Sequence, residues 1–305
     1  MQSGADEDKT YRSLTADDVG EAAQTIRDAD PTWAPGRTIA LGEGLAWQPE
    51  LVHDDPKAVL HVHLADRLRP HVVERMRAAS GRGYRIHLAL DLSALYDEDL
   101  LREISTLDPI IHVVGNGPEK QQASLLATLA DQGIRVTDAT RVELARVGWQ
   151  SCQSTGTSNE KGHRLEALVA FLLSQIEDFR VVERNLRTET EELDVVVQQG
   201  RTEGGRCWML GVPFILVESK NWASKVTQKE LSTFRVKMQG KRGTVRLGLL
   251  FAANGHTGDA YDQELRFASD DLTISLIGPD EITAWVEALD DDEFLDSLIR
   301  RSMLR

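Results

Sequence analysis

The segment Phe214-Ile215-Leu216-Val217 runs without a break into Glu218-Ser219-Lys220-Asn221-Trp222. Four successive apolar residues leave no polar face, so they read as a strand buried on both sides, as in a sheet covered by helices. Side chains alternate along a strand, which puts Glu218 and Lys220 on the same face at its end. Burying ions is costly unless they are paired or hold a metal, so a Glu-x-Lys in this position marks a candidate site.

The chain has 305 residues, of which 41% are hydrophobic and 28% charged, enough for two ordinary domains with real cores. It contains no apolar stretch of about 18 or more residues, and its start, Met1-Gln2-Ser3-Gly4-Ala5-Asp6-Glu7-Asp8, is acidic rather than signal-like. The expectation is a soluble, cytoplasmic protein without membrane association. Cys152 and Cys207 show no metal-ligand spacing and read as reduced thiols.

A net charge of −14 argues against a protein that coats nucleic acid nonspecifically. The charge is unevenly spread, however. Between Ser219 and Gly248, Lys220, Lys225, Lys229, Arg235, Lys237, Lys241, Arg242 and Arg246 face a single acid, Glu230. This island beside Glu218 and Lys220 reads as a phosphate-facing surface, with Lys225, Lys229, Lys237, Lys241 and Arg242 as the candidate nucleic-acid contacts.

Residues 1 to 35 read as a tail and a short helix, opened by Thr15 with Asp18 and stopped by Pro31, Pro35 and Gly36. From 36 to 150, strands and helices alternate: strands at 58–64, 84–90, 109–114 and 134–137, helices at 70–79, 97–107 and 119–132. That alternation predicts a mostly parallel α/β sheet. Asp66, Asp91, Gly115-Asn116-Gly117 and Asp138 follow its strands, where ligands commonly bind. No glycine-rich phosphate loop of the dinucleotide or Walker type occurs. His61 and His63 share a strand face and are expected to be structural, since no third metal ligand is evident. A regulatory or recognition module, with a small-molecule or protein activator as its partner, is the expectation.

The polar stretch 151–161 reads as a linker, and 162–305 as a second α/β domain with a mixed central sheet. In it come a helix with Leu165, Leu168, Val169, Leu172, Leu173 and Ile176 on one face, strands at 180–186 and 193–198, and a turn with Gly200, Gly204 and Gly205. The strand ending in Glu218 and Lys220 follows, then a helix at 227–239, a strand at 245–252, a helix at 259–268, a strand at 272–277 and two closing helices. Asp194 precedes Val195-Val196-Val197, and a hairpin could bring it beside Glu218. Two such carboxylates repel unless a hard divalent cation, Mg²⁺ or Mn²⁺, lies between them. Lys220 can then orient, or help deprotonate, an attacking water for hydrolysis of a phosphodiester.

The ordered set Lys161-Gly162-x-x-Leu165-Glu166, Glu192-Leu193-Asp194-Val195-Val196-Val197 and Glu218-Ser219-Lys220-Asn221-Trp222 resembles the Mrr-like branch of the PD-(D/E)xK restriction-endonuclease superfamily. The stretch Gly248 to Thr257 and the strand from Leu272 to Ile277, followed by Gly278-Pro279-Asp280-Glu281-Ile282, agree with the family's later elements. The resemblance covers about residues 160 to 290. It implies a restriction-endonuclease fold and metal-dependent cleavage of DNA, in restriction or antiviral defence. It also implies Asp194, Glu218 and the Ser219 carbonyl as metal ligands, Lys220 as the catalytic lysine and Glu166 as the helix acid that supports the site or a second metal. Gln228 stands where such enzymes often place a polar residue facing the site. His256 is expected to be a loop histidine. A long segment, 201–213, between Asp194 and Glu218 departs from the family pattern. One site per chain implies a homodimer for cutting duplex DNA. The alternatives are a non-catalytic nucleic-acid-binding module with a nuclease fold, or the same chemistry on RNA or single-stranded DNA.

Overall fold

The computed structural model describes residues 16–42, 44–64, 68–91, 94–95, 97–114, 122–177, 179–187, 192–200, 213–267 and 272–304. The expected features at Asp66, at 115–117 and at Cys207, and nearly all of the 201–213 segment with Gly204 and Gly205, lie outside them. The chain divides into two compact units, one of residues 1–100 and 112–116, the other of 101–111 and 117–305.

The first unit opens with helix α1 (Ala16–Ala29), then strands β1 (Ala34–Pro35), β2 (Ile39–Gly42), β3 (Leu45–Trp47), β4 (Leu51–Asp54) and β5 (Lys57–His63), helix α2 (Pro70–Ser80) and β6 (Arg85–Asp91). The expected parallel arrangement holds for β5 and β6. The sequence pattern did not foretell β1 to β4. These strands are two to four residues long, too short for alternation to stand out. Of them, β4 runs antiparallel to β5, β1 pairs antiparallel with β4, and β2 with β3 forms a separate hairpin.

Beside that hairpin lies a cleft of about 800 Å³, its walls including Leu41, Leu45, Glu74, Ala78 and Arg82. Arg82 Nε donates to the Leu41 carbonyl at 2.6 Å, laying the guanidinium across Gly42. Gly42 has φ +86°, a conformation that favours glycine, and a β-carbon there would oblige the Arg82 guanidinium to shift.

His61 Nδ1 is 2.9 Å from Glu50 Oε2, and the His63 side chain is buried in the same strand. A second histidine group was not foreseen: His87 and His112 lie 2.7 Å apart, ring nitrogen to ring nitrogen, against the edge of Trp33. Burial lowers His87 to about 3 and His112 to about 4, so the pair stays neutral near pH 7.

The second unit contains α3 (Glu98–Ser105) from residue 101 on and the start of β7 (Ile110–Val114), whose Ile110 and Ile111 pair in parallel with β8 (Arg135–Val136). Helix α4 (Gln122–Asp131) precedes β8, and α5 (Asp138–Gln153) and α6 (Ser158–Ser174) follow. The expected linker at 151–161 is therefore corrected: α5 runs into it and α6 starts within it, leaving only 154–157 between them. A capping box explains the early start of α6, Thr157 accepting from the Glu160 N–H while Glu160 Oε2 accepts from the Thr157 N–H at 2.7 Å.

The main sheet of this unit has the order β13-β12-β11-β10-β9. Strands β9 (Phe179–Arg187), β10 (Glu192–Gln199) and β11 (Phe214–Lys220) are antiparallel neighbours, while β11, β12 (Val245–Ala252) and β13 (Thr273–Ile277) run parallel. Helix α7 (Gln228–Gln239) connects β11 to β12, α8 (Gly258–Phe267) connects β12 to β13, and α9 (Pro279–Val286) and α10 (Asp291–Met303) close the chain. Leu216 and Leu250 from the sheet form one apolar cluster with Leu231, Phe234 and Met238 of α7. Buried Arg141 of α5 donates to the carbonyls of Val286 at 2.8 Å and Ala288 at 3.1 Å and pairs with Asp291.

Candidate active site

Antiparallel pairing of Val195 with Val217 and Val196 with Leu216 sets the next pair, Asp194 and Glu218, across from each other. Paired residues project to one side of a sheet, and Val196 and Leu216, two steps along, both pack in the cluster under α7. The expected hairpin contact is thus formed. Asp194 is 7% exposed and Glu218 6%. The Ser219 N–H donates to Asp194 Oδ2 at 2.6 Å, which fixes this carboxylate against the backbone of β11.

Glu218 is held at both oxygens. Lys220 Nζ lies 2.7 Å from Oε1, and Lys237 Nζ, from the last turn of α7, donates to Oε2 at 2.7 Å. Lys237 therefore lies inward, on the site, rather than out on the basic surface where the charge pattern had put it. Its neighbours Phe234 and Met238 are on the buried stripe, and position 237, three residues after Phe234, borders that stripe. Helical spacing was the signal that could have placed it.

Burial drives the Asp194 carboxyl upward, and adjacent Glu218 adds to this, carrying it to about 7 against the pull of Lys220 and the Ser219 N–H. For Lys220, burial acts downward, yet Glu218, Asp194 and Glu166 together outweigh it and hold the ammonium above its ordinary range. In this arrangement Lys220 is a hydrogen-bond donor and a positive charge beside the two carboxylates. Its ammonium also lies over the ring of Trp222, 5.4 Å from the centroid, and Trp222 is 40% exposed.

Glu166 of α6 is within electrostatic reach of both Asp194 and Lys220. Its side chain is 12% exposed and lies 3.2 Å from His163 Nδ1. Asn221, which sequence reasoning passed over, clips the end of β11 in place: its Nδ2 donates to the carbonyls of Cys152 at 3.0 Å and Lys161 at 2.9 Å. Cys152 is buried and its thiol is pushed up to about 12, so it is an inert core residue.

Gln228 is the exposed first residue of α7. Lys225, Lys229 and Arg242 are exposed and Lys241 is half-buried. Glu230, the single acid of the island, is used as a cap: its carboxylate accepts from the Thr227 N–H at 2.9 Å. His256 is buried in a parallel bridge to Val226, and burial lowers it to about 4, in keeping with a neutral loop histidine.

Among the described residues no three His, Cys, Asp or Glu side chains converge as a metal cage. Two carboxylates and a backbone carbonyl at the shared end of antiparallel β10 and β11 still suit a hard cation, since Mg²⁺ is commonly held by one or two carboxylates and keeps several waters. The elevation of Asp194 beside Glu218 is the electrostatic mark of two acids that a cation would relieve. The residues therefore fit Mg²⁺ or Mn²⁺.

Residues 157–286 match the family model of the Mrr catalytic domain, described as a restriction endonuclease. The match begins at the cap of α6 and ends with α9, so it contains every residue of the site. No curated protein matches the chain.

Proposed function

We propose that this chain, whose C-terminal half is a restriction endonuclease domain of the Mrr type, is a metal-dependent endonuclease that hydrolyses the phosphodiester bonds of DNA. The observation that carries the reading is the convergence of Asp194, Glu218 and Lys220 on one buried sheet end within the matched segment. A structural ion-pair network is the rival reading, and the family match across these same residues favours the catalytic one.

Asp194, Glu218 and the Ser219 carbonyl would hold Mg²⁺ or Mn²⁺, which would supply Lewis-acid polarisation of the phosphodiester and neutralise charge developing on it. Lys220 donates to the attacking water or to a phosphate oxygen and offsets the growing negative charge. Glu218 and Asp194, with a smaller contribution from Glu166, keep Lys220 charged. Asn221 fixes the strand end on which the distance between Glu218 and Lys220 depends. Lys225, Lys229, Lys241 and Arg242 contact the phosphate backbone, while the acidic remainder of the chain disfavours binding elsewhere.

The role is restriction or antiviral defence. The first unit acts as the controlling module, and the cleft between Glu74 and Arg82 is where it receives a small-molecule activator. Cutting both strands of a duplex with one site per chain calls for a homodimer.

The test is incubation of wild type and Lys220→Ala with plasmid, single-stranded DNA and RNA, in Mg²⁺, Mn²⁺ or EDTA. The expected outcome is plasmid cleavage by the wild type that EDTA abolishes and that Lys220→Ala reduces by at least about a hundredfold. Equal cleavage by the two proteins, or cleavage that survives EDTA, overturns the mechanism. A preference for RNA or single strands moves the substrate.

A further inference from the structure

This inference rests on the nuclease reading and concerns how the same site takes up its cation. Glu218 presents two carboxylate oxygens, and both are already bonded to ammonium groups at 2.7 Å. Its side chain is 8% exposed, so water does little to weaken either contact. A divalent cation that takes an oxygen of Glu218 must therefore compete with a lysine. The two lysines reach Glu218 from different elements. Lys220 sits two residues along the same strand, over the Trp222 ring, in the combined field of Glu218, Asp194 and Glu166. Lys237, its side chain 16% exposed against 20% for Lys220, approaches from the last turn of a helix that lies on the sheet.

The geometry points to Lys237 as an internal counter-ion for Glu218 that a divalent cation has to displace, which makes it a positioning residue that sets how tightly the site binds metal. Lys237 keeps Glu218 in place and neutralised before the cation arrives. Were Glu218 to help hold a cation, the Lys237 ammonium would have to give up its place at Oε2, while Lys220 would remain beside Oε1. The cost of that exchange is a weaker site than two bare carboxylates would make, and removing the ammonium while keeping the methylene stem should strengthen it.

The experiment is calorimetric titration of Mn²⁺ into the full chain, comparing wild type with Lys237→Met, Lys237→Arg and Asp194→Asn. Loss of a competing unit charge a few ångströms away predicts Mn²⁺ binding about tenfold tighter in Lys237→Met, with Lys237→Arg close to wild type. Should Lys237→Met not fold, Lys237→Gln is judged by the same titration. Unchanged or weaker binding in the neutral variant, beside normal wild-type binding that Asp194→Asn removes, overturns the counter-ion inference alone. No Mn²⁺ binding by the wild type, or binding that Asp194→Asn leaves intact, overturns the nuclease reading and this inference with it.

Discussion

Asp194 is a residue whose charge state the fold shifts strongly. Its carboxyl rises from an ordinary 3.8 to about 7, chiefly through burial and then through Glu218. A raised carboxyl favours its protonated form in the folded state, so the folded protein binds a proton that the unfolded chain has released. Stability from this source is full below the unfolded value and is lost as pH rises through the folded one. Thermal melts in EDTA at roughly pH 5 to 8 should therefore show wild type losing ground to Asp194→Asn as pH climbs, because asparagine has no proton to lose. Mn²⁺ should restore the wild type most at the upper end, where the carboxylate is free to bind it. Parallel curves for the two proteins would remove Asp194 as a perturbed group.

At the scale of elements, the site depends on how closely α7 lies on the sheet. Gly248 of β12 makes this possible: a β-carbon there would fall 2.5 Å from Met238 Sδ and 2.7 Å from the Phe234 ring. Gly248→Val should push α7 outward, lowering stability by about 1–3 kcal/mol in urea titration and drawing Lys237 off Glu218. A variant as stable as wild type would show that the helix repacks without cost. The sequence disclosed long elements well, because β11 and β12 are near-continuous apolar runs and α6 carries an apolar stripe. It disclosed Asp194, Glu218 and Lys220 because charges at the ends of such runs are conspicuous. It concealed Lys237 and Asn221, since each works through a partner distant in the chain, Glu218 for the first and the carbonyls of Cys152 and Lys161 for the second. The short strands β1 to β4 and the helix α5 left no pattern as clear.

At the scale of the whole molecule, the family match starts at residue 157, but the compact unit containing it does not. Arg141 of α5 is 3% exposed and ties that helix to α9 and α10 through Val286, Ala288 and Asp291, and Trp149 donates to Thr283 Oγ1 at 3.0 Å. A chain beginning at 157 would leave Asp291 buried without its arginine and should lose roughly 3–5 kcal/mol from that alone, relative to one beginning at 101. Urea unfolding compares the two, and equal midpoints would show that α5 is dispensable. Trp222 carries a different consequence across the molecule. Of the chain's six tryptophans, Trp208 is outside the described residues, Trp33, Trp47, Trp149 and Trp285 are buried, and Trp222 alone of the described five is exposed. With the Lys220 ammonium over its ring, it is a native fluorophore at the mouth of the site, whose emission and accessibility to acrylamide follow the arrival of a ligand there without any added label.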